Sequence, residues 1–173
     1  MNDLIILVDE NDNQIGLEEK LKAHQSGNLH RAFSIFVFNN KNELLLQQRA
    51  LDKYHSGGLW TNTCCSHPRP EEETINAAHR RLQEEMGFNC ELIEIFSFKY
   101  KAIFNNGLIE NEFDHVFIGK YDNEIIPNNE EVNAYKWVDL KWLEKDMKEN
   151  QEIYTEWLKI CFEKVLDYIK IKN

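Results

Sequence analysis

Short apolar runs divided by polar turns set the pattern of this chain. Residues 4–8 form an unbroken apolar run that reads as a strand, closed by the polar turn 9–13. Residues 17–25 read as a helix ending near Gly27. Residues 32–38 alternate well enough for a strand, with aromatics at 33, 36 and 38. The polar turn 39–42 joins them to a second apolar run, 44–48, so the pair reads as a hairpin. A loop containing Gly57 and Gly58 follows.

Further on, residues 71–86 predict a helix whose acidic first turn suits the positive end of its dipole. Gly87 stands where a helix C-terminal glycine belongs. Residues 91–102 and 108–120 flank Asn105-Asn106-Gly107 and read as a second hairpin. Residues 134–138 are a last strand, and two helices follow over 140–149 and 152–170. The second of these carries an apolar stripe at 153, 157, 160, 161, 165 and 169. Strands mixed with helices, with prominent hairpins, predict an α+β sandwich. There is no internal repeat and no low-complexity linker, and 173 residues favour one domain spanning 1–173. A chain of this size buries roughly 70% of its unfolded surface and needs no staples.

Charge narrows the partners. The formal net charge of −10 argues against a nucleic-acid footprint and against docking on anionic lipid. An anionic small substrate stays open, because screening over about 8 Å lets a few local Lys and Arg outweigh a distant acidic surface. No apolar run approaches the roughly 18 residues of a membrane span. Met1-Asn2-Asp3 lacks the basic start of a signal peptide. The four cysteines, at 64, 65, 90 and 161, are irregularly spaced and two are adjacent, which fits reduced cytosolic thiols. Cys90 and Cys161 lie in apolar segments and are expected only to pack. The expectation is a cytoplasmic protein, a monomer or weak dimer, acting on a small molecule.

Candidate chemistry concentrates in residues 60–68, Trp-Thr-Asn-Thr-Cys-Cys-Ser-His-Pro. In extended backbone, residues two apart face the same side. Cys65 and His67 would then face one pocket, with Cys64 and Ser66 turned away. Such a thiol–imidazole pair is either a reactive site or an ordinary turn into the next helix. That helix places Arg80 and Arg81 four residues before Glu84 and Glu85. Alone, these pairs read as surface salt bridges of about 0.3–0.5 kcal/mol each. Because the helix follows Cys65 and His67 after a short loop, one face could instead look into their pocket.

His24 and His30 taken singly are ordinary surface or satisfied residues. Glu110 and Glu112 project from one strand face, with Asn111 on the other. Two carboxylates so placed repel unless one is protonated or a cation lies between them; a solvated hairpin arm is the simpler alternative. Together His24, His30, His67, Glu110 and Glu112 make a set of three imidazoles and two carboxylates. Mixed nitrogen and oxygen donors of this kind suit Mn²⁺, Zn²⁺ or Fe²⁺ better than Mg²⁺ or Ca²⁺.

The helix resembles the Nudix box, G-x5-E-x7-R-E-U-x-E-E-x-G-U with U apolar. Glu72, Arg80, Leu82, Glu84, Glu85, Gly87 and Phe88 match it. Ser66 replaces the first glycine, and Arg81 replaces the first glutamate of the R-E pair. The reversed charge argues against metal-dependent pyrophosphate hydrolysis. Glu85 alone could still hold one Mg²⁺ with phosphate oxygens and water.

Taken whole, the chain resembles the type I isopentenyl-diphosphate Δ-isomerases, Nudix-fold enzymes of isoprenoid synthesis. The resemblance rests on residues 17–20, His24, residues 30–34, residues 48–51 with Lys53, residues 60–62 with Cys65, His67 and Pro68, the altered box with Glu85, residues 98–100, residues 110–112, and Trp157. It implies a Nudix-type α/β/α sandwich with a mixed sheet. It also implies that His24, His30, His67, Glu110 and Glu112 hold one divalent ion, Mn²⁺ or Zn²⁺. Glu85, with the Cys65 backbone carbonyl, would hold Mg²⁺ on the substrate diphosphate. Lys20, Arg49, Lys53 and Arg81 would bind diphosphate oxygens. Cys65 and Glu112 would be the acid/base pair, Tyr100 would support Glu112, and Trp157 would close over the isoprenoid tail. Cys64 becomes a bystander. The competing readings are a hydrolase of another diphosphate and a non-catalytic protein whose metal only stabilises the fold.

Overall fold

A computed structural model describes residues 3–53 and 55–172. Strand β1 (Leu4–Val8) pairs antiparallel with β2 (Gln14–Glu19). Strand β2 runs directly into helix α1 (Lys20–Ser26), which ends at Gly27 with φ 68°. The helix expected over 17–25 therefore loses its first three residues to a strand. Leu17, Glu18 and Glu19 lie opposite Ile6, Ile5 and Leu4, so pairing with β1 overrides the local pattern there.

Strand β3 (His30–Phe38) is the centre of the sheet. Strand β8 (Ile109–Lys120) runs parallel along all of it, from His30 opposite Glu112 to Phe38 opposite Lys120. The other edge of β3 meets β1 at His30, β6 (Cys64–Ser66) over Phe33–Ile35, and β4 (Leu44–Arg49) at Phe38. The expected first hairpin thus closes at the single pair Phe38 and Leu44. Strand β4 takes its longer ladder from β9 (Val132–Val138) and also pairs β5 (Trp60–Thr61). The second expected hairpin is present as β7 (Leu92–Ile103) and β8, turning at Gly107 with φ 83°.

Side chains of β3 alternate between two cores. Phe33, Ile35 and Val37 pack with Leu45, Cys64 and the apolar face of helix α2 (Thr74–Met86), including Ala77, Ala78, Leu82 and Met86. Phe36 and Phe38 pack on the opposite face with Leu44, Leu46, helix α3 (Leu140–Glu149) and helix α4 (Glu156–Lys172). Each large apolar side chain buried this way contributes about 1.5–3 kcal/mol. The result is the expected α/β/α sandwich around a mixed sheet. Among the described residues, no helix is long and apolar enough to cross a membrane.

Two helix starts differ from expectation. Helix α2 begins at Thr74, and its first turn contains no acidic residue. Glu71 sits at φ 64° and Glu73 is the N-cap, so the run of acids precedes the helix. Glu72 is used otherwise: its two oxygens accept from Arg80 Nε and Nη2, both at 2.7 Å, and one accepts from the Arg69 N–H at 2.9 Å. Helix α4 begins at Glu156, after a short 3₁₀ turn at Gln151–Ile153. Its buried stripe is 157, 158, 161, 162, 165 and 166, while Ile153 and Ile160 stay exposed. Trp157, Cys161 and Val165 of the expected stripe are thus buried, Ile169 packs at its edge, and Leu158, Phe162 and Leu166 widen it. Gly87 ends α2 at φ 75°, and a Cβ there would lie 1.9 Å from the Ile126 carbonyl oxygen, so only glycine fits. Cys161 is buried in the second core and Cys90 packs half-buried against the first; all four cysteines are free thiols.

Candidate active site

The parallel pairing of β3 with β8 builds the site. It sets His30 directly beside Glu112, and Glu110, Glu112 and Asp114 all turn to the buried side of β8. Helix α1 brings His24 over Glu110, with Nε2 3.1 Å from Oε2. His67 follows β6 and places Nε2 3.0 Å from Glu112 Oε1. One donor atom from each of His24, His30, His67, Glu110 and Glu112 lies within 4.8 Å of all the others.

The rings of His24 and His30 are oriented by their other nitrogens, whereas Nδ1 of His67 is buried without a hydrogen-bond partner. Nδ1–H of His24 donates to the Lys20 carbonyl at 2.6 Å, and Nδ1–H of His30 donates to the Asn28 carbonyl at 2.8 Å. Each Nε2 then faces the carboxylates, where its lone pair would be available to an ion held between them, the usual outer-shell arrangement around a metal-ligating histidine. Nε2 of His30 is buried and has no hydrogen-bond partner. An orphaned ring nitrogen beside two apposed buried carboxylates is costly without a cation, and the five groups fit a divalent ion. Burial, with the Lys20 charge adding to it, pulls His67 down to about 3 against its bond to Glu112, so its imidazole is neutral and able to ligate. Burial and the Glu110 charge push Glu112 upward, but its contacts with His30 and His67 hold it below the ordinary carboxylate value.

Cys65 lies opposite Ser34 in the β3–β6 ladder. Its Sγ–H donates to Asn62 Oδ1 at 2.9 Å. The Asn62 amide cannot flip, because Nδ2 donates to the carbonyls of Ile35 (3.0 Å) and Cys64 (3.1 Å). Burial, with a contribution from Asp114, pushes the Cys65 thiol up to about 12, so it rests protonated. Cys64 faces the opposite way, into the core under α2. Across the β7–β8 ladder, Tyr100 donates to Glu112 Oε2 at 2.5 Å. Burial and the nearby Glu112 hold the phenol well above its ordinary value, so it stays a donor. Trp157 is set by the Thr155 N–H, which donates to the Trp60 carbonyl at 3.0 Å, and by its own Nε1–H, which donates to Thr61 Oγ1 at 2.8 Å.

Two adjoining cavities open here. The smaller, about 40 Å³, is lined by Cys65, Tyr100, Glu110, Glu112 and Trp157 among others. The larger, about 310 Å³, is lined by Arg49, Lys53, Arg80, Arg81 and Glu85 among others. Lys20, Arg49, Cys65, Ser66 and His67 border both. Ser66 was expected to face away; it borders both cavities instead, because the chain leaves β6 there. Arg81 and Glu85 form the expected pair at 2.7 Å, but turned into the larger cavity, where Gln47 also donates to Glu85 at 2.8 Å. Arg80 and Glu84 pair on the surface at 3.2 Å. Lys53 pairs with Glu131, which also lies 3.3 Å from Arg81.

Every site residue read from the sequence therefore borders one of these cavities or belongs to the five-residue cluster. Sequence reasoning passed over Asp114, Gln47, Glu131 and His55. Asp114 accepts from Ser34 at 2.8 Å and is pushed well above its ordinary value by burial and then by Glu112. Its place two residues beyond Glu112 was a usable signal; nothing local marked the others.

Residues 28–158 match the NUDIX domain family. The chain is 57% identical over 166 residues to isopentenyl-diphosphate Delta-isomerase 1 of Aromatoleum aromaticum, covering 96% of this chain and 94% of that one. It is 57% identical over 159 residues to isopentenyl-diphosphate Delta-isomerase 2 of Photorhabdus laumondii, covering 92% and 90%. Among solved structures, a Deinococcus radiodurans protein superposes with a TM-score of 0.71 at 17% identity, over 85% of this chain and 90% of that one. The last likeness concerns the fold alone.

Proposed function

This chain belongs to the NUDIX family and, within it, to the isopentenyl-diphosphate Delta-isomerases, and from that premise we propose that it interconverts isopentenyl and dimethylallyl diphosphate. The observation that carries the proposal is the shared cavity of Cys65 and Glu112, beside a larger one lined by cationic side chains. Moving the double bond adds a proton to the terminal methylene, leaving tertiary cation-like character on the branched carbon, and removes a proton from the carbon adjacent to the diphosphate-bearing one, so that the new double bond forms between these two inner carbons. An unactivated alkene is a poor base, and each well-placed proton-transfer group contributes about 10²–10⁴-fold.

Cys65 and Glu112 are the two proton-transfer groups in this reading, exchanging roles when the reaction reverses. Asn62 aims the thiol, and Tyr100 orients Glu112. Trp157 shields the tertiary cation-like species from water, and its ring face stabilises that charge by about 0.5–2 kcal/mol. Lys20, Arg49, Lys53 and Arg81 line the larger cavity and bind the diphosphate. His24, His30, His67, Glu110 and Glu112 would hold Mn²⁺ or Zn²⁺, and Glu85 with the Cys65 carbonyl would hold Mg²⁺ with the substrate. A bound divalent ion supplies positive charge that offsets the clustered carboxylates. Four unpaired cysteines support a reducing, cytoplasmic setting.

The test is proton NMR of isopentenyl diphosphate incubated with the protein, Mg²⁺ and Mn²⁺. The dimethylallyl methyl signals should appear until the two isomers equilibrate. Release of phosphate without isomerisation would overturn the proposal in favour of a hydrolase.

A further inference from the structure

His55 lies in the loop between β4 and β5, outside every motif that pointed to the site. It is a fourth imidazole at the centre, 8% exposed, and it borders the smaller cavity. Its Nε2 is 3.1 Å from Glu110 Oε1, while the other oxygen of that carboxylate faces His24. The ring stacks on Phe104, with centroids 5.1 Å apart and planes at 16°, and meets Trp157 edge-on at 6.1 Å. Ser56 Oγ lies 3.3 Å from His55 Nδ1. The metal-ligating cluster comprises five residues, and His55 is not one of them.

We propose that His55 is a positioning residue for the metal centre: its Nε2–H donates to Glu110 Oε1 and so commits Glu110 Oε2 to the ion. This rests on reading the five-residue cluster as a divalent-metal site. A glutamate carboxylate turns easily about its last torsion, so one oxygen must be held if the other is to stay aimed. The imidazole can do this because it is itself clamped. Phe104 and Trp157 fix the plane of the ring, and a hydroxyl hydrogen from Ser56 on Nδ1 selects the tautomer with hydrogen on Nε2.

The loop is built to deliver the ring. Ser56 takes φ 53°, and a Cβ on Gly57 would lie 2.6 Å from the Leu51 carbonyl oxygen, so the turn closes tightly. The same loop ties the two cavities together. Arg49 Nη2 donates to the His55 carbonyl at 3.4 Å, and the Arg49 guanidinium sits 5.2 Å from the centre of the Trp157 ring. The segment that offers Arg49 and Lys53 to the larger cavity is therefore the one that steadies Glu110.

The test separates the hydrogen bond from the ring. His55→Phe keeps the stacking and removes the donor; His55→Gln keeps a donor at similar reach and removes the ring. Metal-stripped protein is titrated with Mn²⁺, and free Mn²⁺ is read by electron paramagnetic resonance. Wild type should show one tight site. His55→Phe should weaken it about 10–100-fold, the usual range for losing an outer-shell partner, while His55→Gln should stay within about threefold. Melting of the metal-free variants reports their folding. If His55→Phe does not fold, His55→Asn, too short to reach Glu110, takes its place against His55→Gln.

Wild-type affinity in His55→Phe, or an equal loss in His55→Gln, overturns the positioning role and leaves the metal site standing. Absence of a tight Mn²⁺ site in wild type overturns the metal reading and this inference with it.

Discussion

Tyr100 and Glu112 face each other across the β7–β8 ladder, and the tyrosine hydroxyl donates to Glu112 Oε2 at 2.5 Å. His67 approaches the other oxygen at 3.0 Å, so Glu112 is gripped from both sides while its carboxylate still borders the smaller cavity. A hydrogen bond to a charged group is worth about 1.5–3 kcal/mol. Tyr100→Phe should therefore lower kcat about 10–100-fold with little change in KM, measured in steady-state isomerisation assays. An unchanged kcat would remove Tyr100 from the account.

The two adjacent thiols should respond in opposite ways. Cys65 borders both cavities, whereas Cys64 is buried in the core under α2. Cys65→Ala should cost at least about 10²-fold in turnover with the fold retained. Cys64→Ala should leave turnover within a few-fold and lower stability by about 1 kcal/mol, through the small void it creates. Circular dichroism melts and activity on the same preparations distinguish the two.

Metal removal should act on both stability and turnover. A ligand that binds only the folded state at a hundred times its Kd stabilises by about 2.7 kcal/mol. Chelation should thus lower the Tm and abolish isomerisation, and added Mn²⁺ should restore both. A Tm that does not move on chelation would count against the cluster of three histidines and two glutamates as a metal site.

Glu72 gives a pH-dependent test away from the chemistry. Its bidentate bond from Arg80 holds its carboxyl below the ordinary value of 4.5. A depressed carboxylate contributes stability that is fully present above the unfolded value and is lost as pH falls through the folded one. Glu72→Gln should therefore cost about 1 kcal/mol at neutral pH, a charge-assisted pair discounted for partial exposure. The gap from wild type should close as the pH drops below that ordinary value. Urea titrations across the acid range read this directly.

Some of this was legible in the sequence because it is local. The alternation of β3, the Asn-Asn-Gly turn after β7, and the glycine ending α2 each follow from a few neighbouring residues. The end of β2 was not legible, since Leu17–Glu19 become strand only by pairing with β1. Within the site, the alternation of Glu110 and Glu112 announced a shared face. Their meeting with His24, His30 and His67 depends on the parallel β3–β8 register, which no local pattern encodes. The family resemblance supplied that long-range link. It did not reach His55, whose partner Glu110 is far along the chain, or Asp114, whose burial comes from both flanking strands.

The central claim is that Cys65 and Glu112 pass protons to and from a five-carbon diphosphate. The most direct measurement is NMR of isopentenyl diphosphate turnover in D₂O, for wild type and for Glu112→Gln. Wild type should produce dimethylallyl diphosphate carrying deuterium in the newly formed methyl group, and Glu112→Gln should keep its fold and show no turnover. Near-normal turnover by Glu112→Gln, or isomerisation by wild type without deuterium uptake, would contradict it.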